Sequence, residues 1–239
     1  MKYWYDYTIK YQEVDDRKKL RLYTLENYLL EVAGRVADDL GFGIKHLHPM
    51  GLTWILTRLS VEMNELPAPN EHLWFETWIE SNVHMLSTRD FRIYVGDESN
   101  KRQIGQCKSV WAVLDMEKRE IVNCFDNPIF EGAVDGEVLE MSRVRMTTIP
   151  EPTAIVPHRV CYSDLDYNRH CNSCKYLEAM MNAYRPNIYD KPIRLDINYQ
   201  KEAMEGEELQ TLYLIADDGV QYQQKNSHGE TSCSAKITI

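Results

Sequence analysis

The chain has 239 residues, of which 44% are hydrophobic and 27% charged, a composition typical of a globular protein. Its 27 basic and 37 acidic residues give a formal net charge of −10, which argues against a protein whose whole surface binds nucleic acid. No apolar stretch approaches the length of a membrane span, and the first residues lack the pattern of a signal peptide. We therefore expect a cytoplasmic protein that binds neither nucleic acid nor membrane.

The first half of the chain predicts a strand, a helix and then four more strands. Alternate residues of 2–13 share one apolar face, which indicates a strand. Apolar residues at helical spacing follow from Tyr28 to Leu40, with Thr24 as a candidate N-cap and Gly41 as a candidate C-cap. The later strands are predicted over residues 52–64, 72–83, 87–96 and 103–115.

The second half repeats this order of elements. A strand over residues 154–162 precedes a helix that Asn172 or Ser173 can cap and that Pro186 ends. Strands are then predicted over residues 192–203, 208–217, 220–226 and 231–239. Without a gap, the first half aligns with the second at one offset, which pairs Arg58 with Arg194, Leu73 with Leu209 and Ile79 with Ile215.

This repeat predicts an α+β fold built twice. One long helix followed by an antiparallel meander suggests, in each half, a helix wrapped by its own sheet. We predict an N-terminal domain over residues 1–124 and a C-terminal domain over residues 152–239. The segment 125–151, which contains Pro128 and Pro150, is predicted to connect them.

Asp166, Asn168 and His170 are spaced at i, i+2 and i+4, just ahead of the second predicted helix. In an extended backbone, residues two apart point to the same side, so we expect these side chains to converge. They offer negative charge, hydrogen-bond donation and proton transfer, a set suited to attack on a carbonyl group. The first half has no Asn or His where it continues from Asp16, and it contains all five Trp. The second half is thus equipped for chemistry and the first for apolar contact.

Cys171 and Cys174 form a CxxC motif beside these residues. A structural zinc site would need a second pair of ligands at matching spacing, which the sequence lacks. We therefore predict neither a metal nor a cofactor. A redox role for the two thiols is an open alternative, although thiols of a reducing compartment are usually reduced.

Six short motifs, in this order and spacing, resemble those of the acyl-acyl-carrier-protein thioesterases, a family that ends fatty-acid synthesis in plants and has bacterial members. The similarity covers nearly the whole chain. The motifs are Gly41-Phe42-Gly43, Trp54-Ile55-Leu56-Thr57-Arg58, Glu76-Thr77-Trp78, Ser109-Val110-Trp111, Ser163 to His170, and Asn172 to Tyr176.

The resemblance implies two hot-dog folds in tandem and hydrolysis of the thioester between a fatty acyl chain and the phosphopantetheine of acyl carrier protein. It carries catalytic roles onto Asp166, Asn168, His170 and Glu202, the last on the following strand. The family often has a cysteine directly after that glutamate, but Ala203 stands here, so a thiolate cannot act at this position. The absence of a targeting segment favours a bacterial enzyme, and the tandem arrangement leaves both a monomer and a homodimer open.

Two chemical routes fit these residues. Glu202 with His170 could activate water, or Asp166 could attack the carbonyl directly to give a mixed anhydride. Rival functions are an acyl-CoA thioesterase or a hydroxyacyl-thioester dehydratase on the same fold, and a non-catalytic acyl-thioester-binding protein. The acyl tail needs an apolar wall, which we expect in the first half around Met50, Trp54 and the helix over residues 25–40.

Overall fold

The computed structural model describes residues 1–123, 125, 128–189 and 191–239, with the backbone alone at 128 and 129. The chain divides into two compact units, one of residues 1–61 and 66–142 and the other of residues 62–65 and 143–239. Each unit contains one long helix and an antiparallel sheet, which confirms the predicted α+β architecture.

The first unit has six strands and three α-helices in its described residues. The strands are β1 (Tyr3–Thr8), β2 (Leu52–Met63), β3 (His72–Val83), β4 (Leu86–Asp97), β5 (Asn100–Asp115) and β6 (Glu120–Val122). The helices are α1 (Leu22–Asp39), α2 (Ile44–Leu47) and α3 (Pro128–Glu131). The strands lie in the order β1-β3-β4-β5-β2, with β6 beside β5.

The second unit repeats this arrangement in a shorter form. Its strands are β7 (Ala154–Arg159), β8 (Ile193–Tyr199), β9 (Glu208–Ala216), β10 (Gly219–Lys225) and β11 (Thr231–Thr238), and its helix is α4 (Ser173–Ala183). The strand order β7-β9-β10-β11-β8 matches that of the first unit, so the sequence repeat is a structural repeat.

The ends of the long helices show which sequence signals correctly predict where a helix begins or ends. Thr24 is not the N-cap, because α1 begins at Leu22 after Arg21, whose N–H donates to the carbonyl of Glu13 at 3.2 Å. Tertiary contacts of the preceding turn therefore set this helix start. Gly41 does terminate α1, with φ of +83°. Asn172 caps α4 by accepting the N–H of Cys174 at 3.1 Å.

The strands agree with their predicted positions except where a turn interrupts the alternation. The first predicted strand ends early, at Thr8, and a 3₁₀ turn over Tyr11–Glu13 follows it. The strand predicted over 192–203 ends at Tyr199. Beyond it, the N–H groups of Gln200 and Lys201 both donate to the carbonyl of Ser232, at 2.9 and 3.1 Å, and the chain leaves the sheet.

The core of the first unit lies under α1, which buries Leu25, Leu29, Val32 and Val36. On the sheet, the fully buried Trp78 donates its indole N–H to the carbonyl of Glu137 at 2.8 Å. Part of the predicted connector thus lies against β3 in this unit. No helix among the described residues is long and apolar enough to cross a membrane.

Candidate active site

The Asp-x-Asn-x-His run forms a tight turn, so the prediction of an extended backbone here is wrong. Leu165 and Cys171 form an antiparallel bridge across the turn. Between them, the N–H of Asp166 donates to the carbonyl of His170 at 2.8 Å, and Arg169 has the left-handed φ of +66°. The backbone therefore reverses direction between Asp166 and His170 instead of running straight.

The carboxylate of Asp166 closes this turn. Its Oδ1 accepts the backbone N–H of Asn168 at 2.8 Å and that of His170 at 3.0 Å. Bonds from N–H groups to an ionised carboxylate are stronger than neutral hydrogen bonds, so the side chain fixes the turn. One carboxylate oxygen of Asp166 is thereby committed to the backbone.

The first unit contains the same turn, but without the Asn and His side chains of the second. Oδ1 of Asp15 accepts the N–H of Arg17 at 2.8 Å and that of Lys19 at 3.1 Å, and Lys18 has φ of +58°. The N–H of Asp15 donates to the carbonyl of Lys19 at 2.9 Å. The turn aspartate is thus a structural residue in both units, while Asn168 and His170 are specific to the second.

The structure brings His170 and Glu202 together, although they are far apart in sequence. His170 Nε2 lies 3.6 Å from Glu202 Oε2, and the two side chains are 21% and 37% exposed. Glu202 lies after the end of β8, so its predicted place on a strand is wrong. The N–H of Cys171 donates to the carbonyl of Ala203 at 2.8 Å, and this bond joins the Glu202 segment to the turn.

Asn168 is half-buried on the turn, and its side-chain amide makes no hydrogen bond to any described residue. An amide so placed can donate to a ligand oxygen. The first unit has a long basic side chain, Arg17, in the same position of its turn. The polar groups of the second turn are therefore available for binding, whereas its aspartate is occupied.

The two predicted acyl-binding residues have different surroundings. Trp54 packs against the aromatic rings of Phe42, Phe125 and Phe130, and its indole N–H donates to the carbonyl of Phe42 at 2.9 Å. Met50 ends a 3₁₀ turn, and 68% of it is exposed to solvent. The structure thus places Trp54 in an apolar cluster and Met50 at the surface.

Asp164 is a second acidic residue that supports the turn, and its role does not follow from the pattern of Asp166, Asn168 and His170. Its carboxylate accepts the N–H of Cys161 at 2.8 Å, and its carbonyl accepts the N–H of Asn172, the cap of α4, at 2.8 Å. Glu13 makes the equivalent bonds before α1, accepting from Lys10 at 2.7 Å. An acidic residue two positions before the turn aspartate occurs in both halves, and that repeat could have revealed it.

All five cysteines in the part of the chain that the structure describes are free thiols, and that part holds no cluster of metal-ligating side chains. Cys171 and Cys174 are buried. Burial, with the nearby Asp164 carboxylate, raises the pKa of Cys171 to about 12, so this thiol stays protonated and weakly nucleophilic at neutral pH.

Solved structures share this architecture along the whole chain. An acyl-ACP thioesterase from Bacteroides thetaiotaomicron has a TM-score of 0.84 and 28% identity, with 99% of this chain and 97% of that chain covered. The 12:0-ACP thioesterase from Umbellularia californica also has a TM-score of 0.84, at 17% identity, with 99% and 96% covered. These similarities confirm the predicted tandem hot-dog fold.

Sequence comparison also finds acyl carrier protein thioesterases. A chloroplastic palmitoyl-acyl carrier protein thioesterase of Cuphea hookeriana is 22% identical over 93% of this chain and 57% of its own length. A chloroplastic oleoyl-acyl carrier protein thioesterase of Coriandrum sativum is 22% identical over 86% of this chain and 60% of its own length. The chain thus spans about three fifths of these curated relatives.

Family models cover both halves of the chain. The model of the acyl-ACP thioesterase N-terminal domain matches residues 1–130, and that of the acyl-ACP thioesterase C-terminal domain matches residues 150–239. The first match alone includes more than half of the chain, and the resemblance predicted from the six motifs is confirmed. The chain belongs to the acyl-ACP thioesterase family.

Proposed function

We propose that this protein hydrolyses the thioester between a fatty acyl chain and the phosphopantetheine of acyl carrier protein, releasing a free fatty acid. The observation that carries the proposal is the pairing of Glu202 with His170, which lies on a turn that the first unit copies with Lys19 in place of the histidine. Family membership supports the substrate class. In this proposal the second unit performs the chemistry and the first binds the acyl chain.

The proposed reaction uses water as the nucleophile. Glu202 accepts the Nε2–H of His170 and so holds a neutral imidazole with Nδ1 as the base. Water attacks the thioester carbonyl carbon while its proton passes to Nδ1. The imidazolium then returns a proton to the sulfur as the C–S bond breaks. The distance of 3.6 Å between Nε2 and Oε2 fits an unliganded site, since such contacts often shorten when substrate binds.

Asn168 and Asp166 have supporting roles in this mechanism. The amide of Asn168 donates to the carbonyl oxygen, which becomes negatively charged in the tetrahedral intermediate. Oδ1 of Asp166 already accepts two N–H groups, and these bonds lower its nucleophilicity. Asp15, at the equivalent position of the first unit, makes the same bonds in a turn that has no His or Asn. Orientation of the turn is therefore the role that we propose for Asp166, in preference to covalent attack.

The acyl chain is proposed to bind in the first unit, next to the aromatic cluster of Trp54, Phe42, Phe125 and Phe130. Apolar surface of this kind stabilises a buried alkyl chain by about 0.8 kcal/mol for each CH₂ group. Met50, which is exposed in the structure, would contribute only where the chain enters from that surface.

Substrate class can be tested with thioesters of equal chain length on two carriers. We expect the purified protein to have a kcat/KM at least about tenfold higher for acyl carrier protein than for CoA, which corresponds to 1.4 kcal/mol of transition-state binding. Released fatty acids are measured by mass spectrometry. Equal or faster hydrolysis of the CoA thioester would favour the acyl-CoA thioesterase alternative.

The catalytic assignment predicts different outcomes for the two turns. His170→Ala should lower kcat/KM by about 10²–10⁴, because positioned acid–base groups contribute rates of this order. Asp166→Asn should cause a smaller loss, because an Asn side chain can still accept the two N–H groups and hold the turn. Asp15→Asn is the matched control, and we expect activity near that of the wild type. Full activity in folded His170→Ala contradicts the assignment.

The acyl-binding proposal predicts a change in chain-length preference. Trp54→Leu alters the apolar cluster, so the ratio of kcat/KM values for substrates that differ by two CH₂ groups should change several-fold. Met50→Trp tests the surface position in the same assay. Trp4→Leu serves as the control, because Trp4 is a partly exposed aromatic residue of the same unit that packs on Tyr94. An unchanged ratio in Trp54→Leu and Met50→Trp would place the acyl chain elsewhere.

The redox alternative predicts loss of function without Cys171. Because this thiol is buried and its pKa is raised, we expect Cys171→Ser to retain thioester hydrolysis. Steady-state kinetics in the presence and absence of a thiol reductant measure this. A strong dependence on the reductant in the wild type, absent from Cys171→Ser, would restore the redox hypothesis.

A further inference from the structure

We infer that Tyr176 is a positioning residue for Glu202: its buried hydroxyl group holds the peptide carbonyl that directly precedes the glutamate. The inference rests on the proposed hydrolytic role of Glu202. Tyr176 lies in the first turns of α4, directly after the turn that carries His170. It would thus connect the helix to the acid that faces the imidazole.

The orientation of Glu202 depends on how the peptides beside it are held. Glu202 lies beyond the end of β8, outside any strand, and its side chain is 37% exposed. An exposed carboxylate on irregular backbone samples several orientations unless the neighbouring peptides are fixed. A catalytic pair loses rate steeply when one partner is displaced by about 1 Å.

The hydroxyl group of Tyr176 holds the peptide on the N-terminal side of the glutamate. It donates to the carbonyl of Lys201 at 3.4 Å. Only 4% of Tyr176 is exposed, and its ring packs edge-on against Tyr199. Burial raises the pKa of Tyr176 well above its ordinary value, so the hydroxyl group remains protonated and able to donate.

The first unit shows that the backbone path does not require this hydroxyl group. There the N–H of Leu20 donates to the carbonyl of Pro67 at 2.8 Å, the counterpart of the bond from Cys171 to Ala203 at 2.8 Å. That bond is the part of the scaffold that both units share. The contact of the Tyr176 hydroxyl group occurs only in the second unit, so the shared backbone path does not explain it.

The residues that differ between the units are those that surround the hydroxyl group. Leu25 occupies the position of Tyr176 on α1, and Leu66 occupies that of Glu202. The hydroxyl group and the carboxylate are thus absent together from the unit whose turn lacks the His and Asn. This joint absence points to a role in the chemistry.

The test is Tyr176→Phe, compared with Tyr222→Phe as a matched control. We expect Tyr176→Phe to lower kcat by about 10- to 100-fold with little change in KM, and to shift the acidic limb of the pH–rate profile. Tyr222 is also buried in the second unit and donates to the carbonyl of Tyr184 at 2.6 Å. Its variant loses a hydrogen bond of the same kind and should keep kcat. Equal losses in both variants would overturn the inference.

Tyr176→Leu is a second variant for the case in which Tyr176→Phe does not fold. It copies Leu25 of the first unit, where the backbone bond to the turn forms without a hydroxyl group. We expect kcat to fall as far as in Tyr176→Phe. Wild-type kcat in either folded variant would overturn the inference.

A double-mutant cycle with Glu202→Gln separates this inference from the proposed function. If Tyr176 acts through Glu202, Tyr176→Phe should cause no further loss in the Glu202→Gln background. Full additivity of the two losses would overturn the positioning role alone. Wild-type activity in Glu202→Gln would contradict the proposed function itself, and with it the inference.

Discussion

A carboxylate that accepts two backbone N–H groups closes the turn before the long helix in each unit, and the rest of the site depends on this interaction. Asp15 and Asp166 make it with nearly the same distances, 2.8 and 3.1 Å in the first turn and 2.8 and 3.0 Å in the second. The turn reverses the chain in a few residues and delivers it to the helix N-terminus. The two positions whose N–H groups are bound carry side chains that the fold leaves open to substitution.

Comparison of the two units therefore distinguishes residues that the fold needs from residues that only the proposed chemistry needs. Groups that bond to the backbone in both units, such as the turn aspartates and the acidic residues two positions before them, are needed for folding. Groups that occur in one unit only, such as Asn168, His170 and Glu202, are dispensable for the same backbone path. An internal copy thus serves as a natural control, and it assigns Asp166 to the first class although its chemistry alone would suit the second.

The strands were predictable because alternation is a local signal, as for β3, which spans His72–Val83 as expected. Thr24 was a wrong cap because a bond from Arg21 to the preceding turn begins the helix earlier. The spacing of Asp166 and His170 predicts extended backbone, and this is wrong because alternation cannot show that a side chain bonds to its own turn. No local pattern could have paired Glu202 with His170, because that contact depends on the tertiary path; only the family resemblance pointed to it.

The pairing of His170 with Glu202 has no adequate explanation in stability. Ion pairs between partly exposed side chains typically contribute less than about 1 kcal/mol, and ordering the side chains offsets much of that. The first unit folds with Lys19 and Leu66 in the equivalent positions, where no such pair can form. A contact that contributes little to folding, and that the same scaffold omits elsewhere, is best explained by what the two groups do to a bound molecule. The imidazole and the carboxylate lie where the turn and the segment after β8 meet, and that junction is where we place the proton transfer of the proposed hydrolysis.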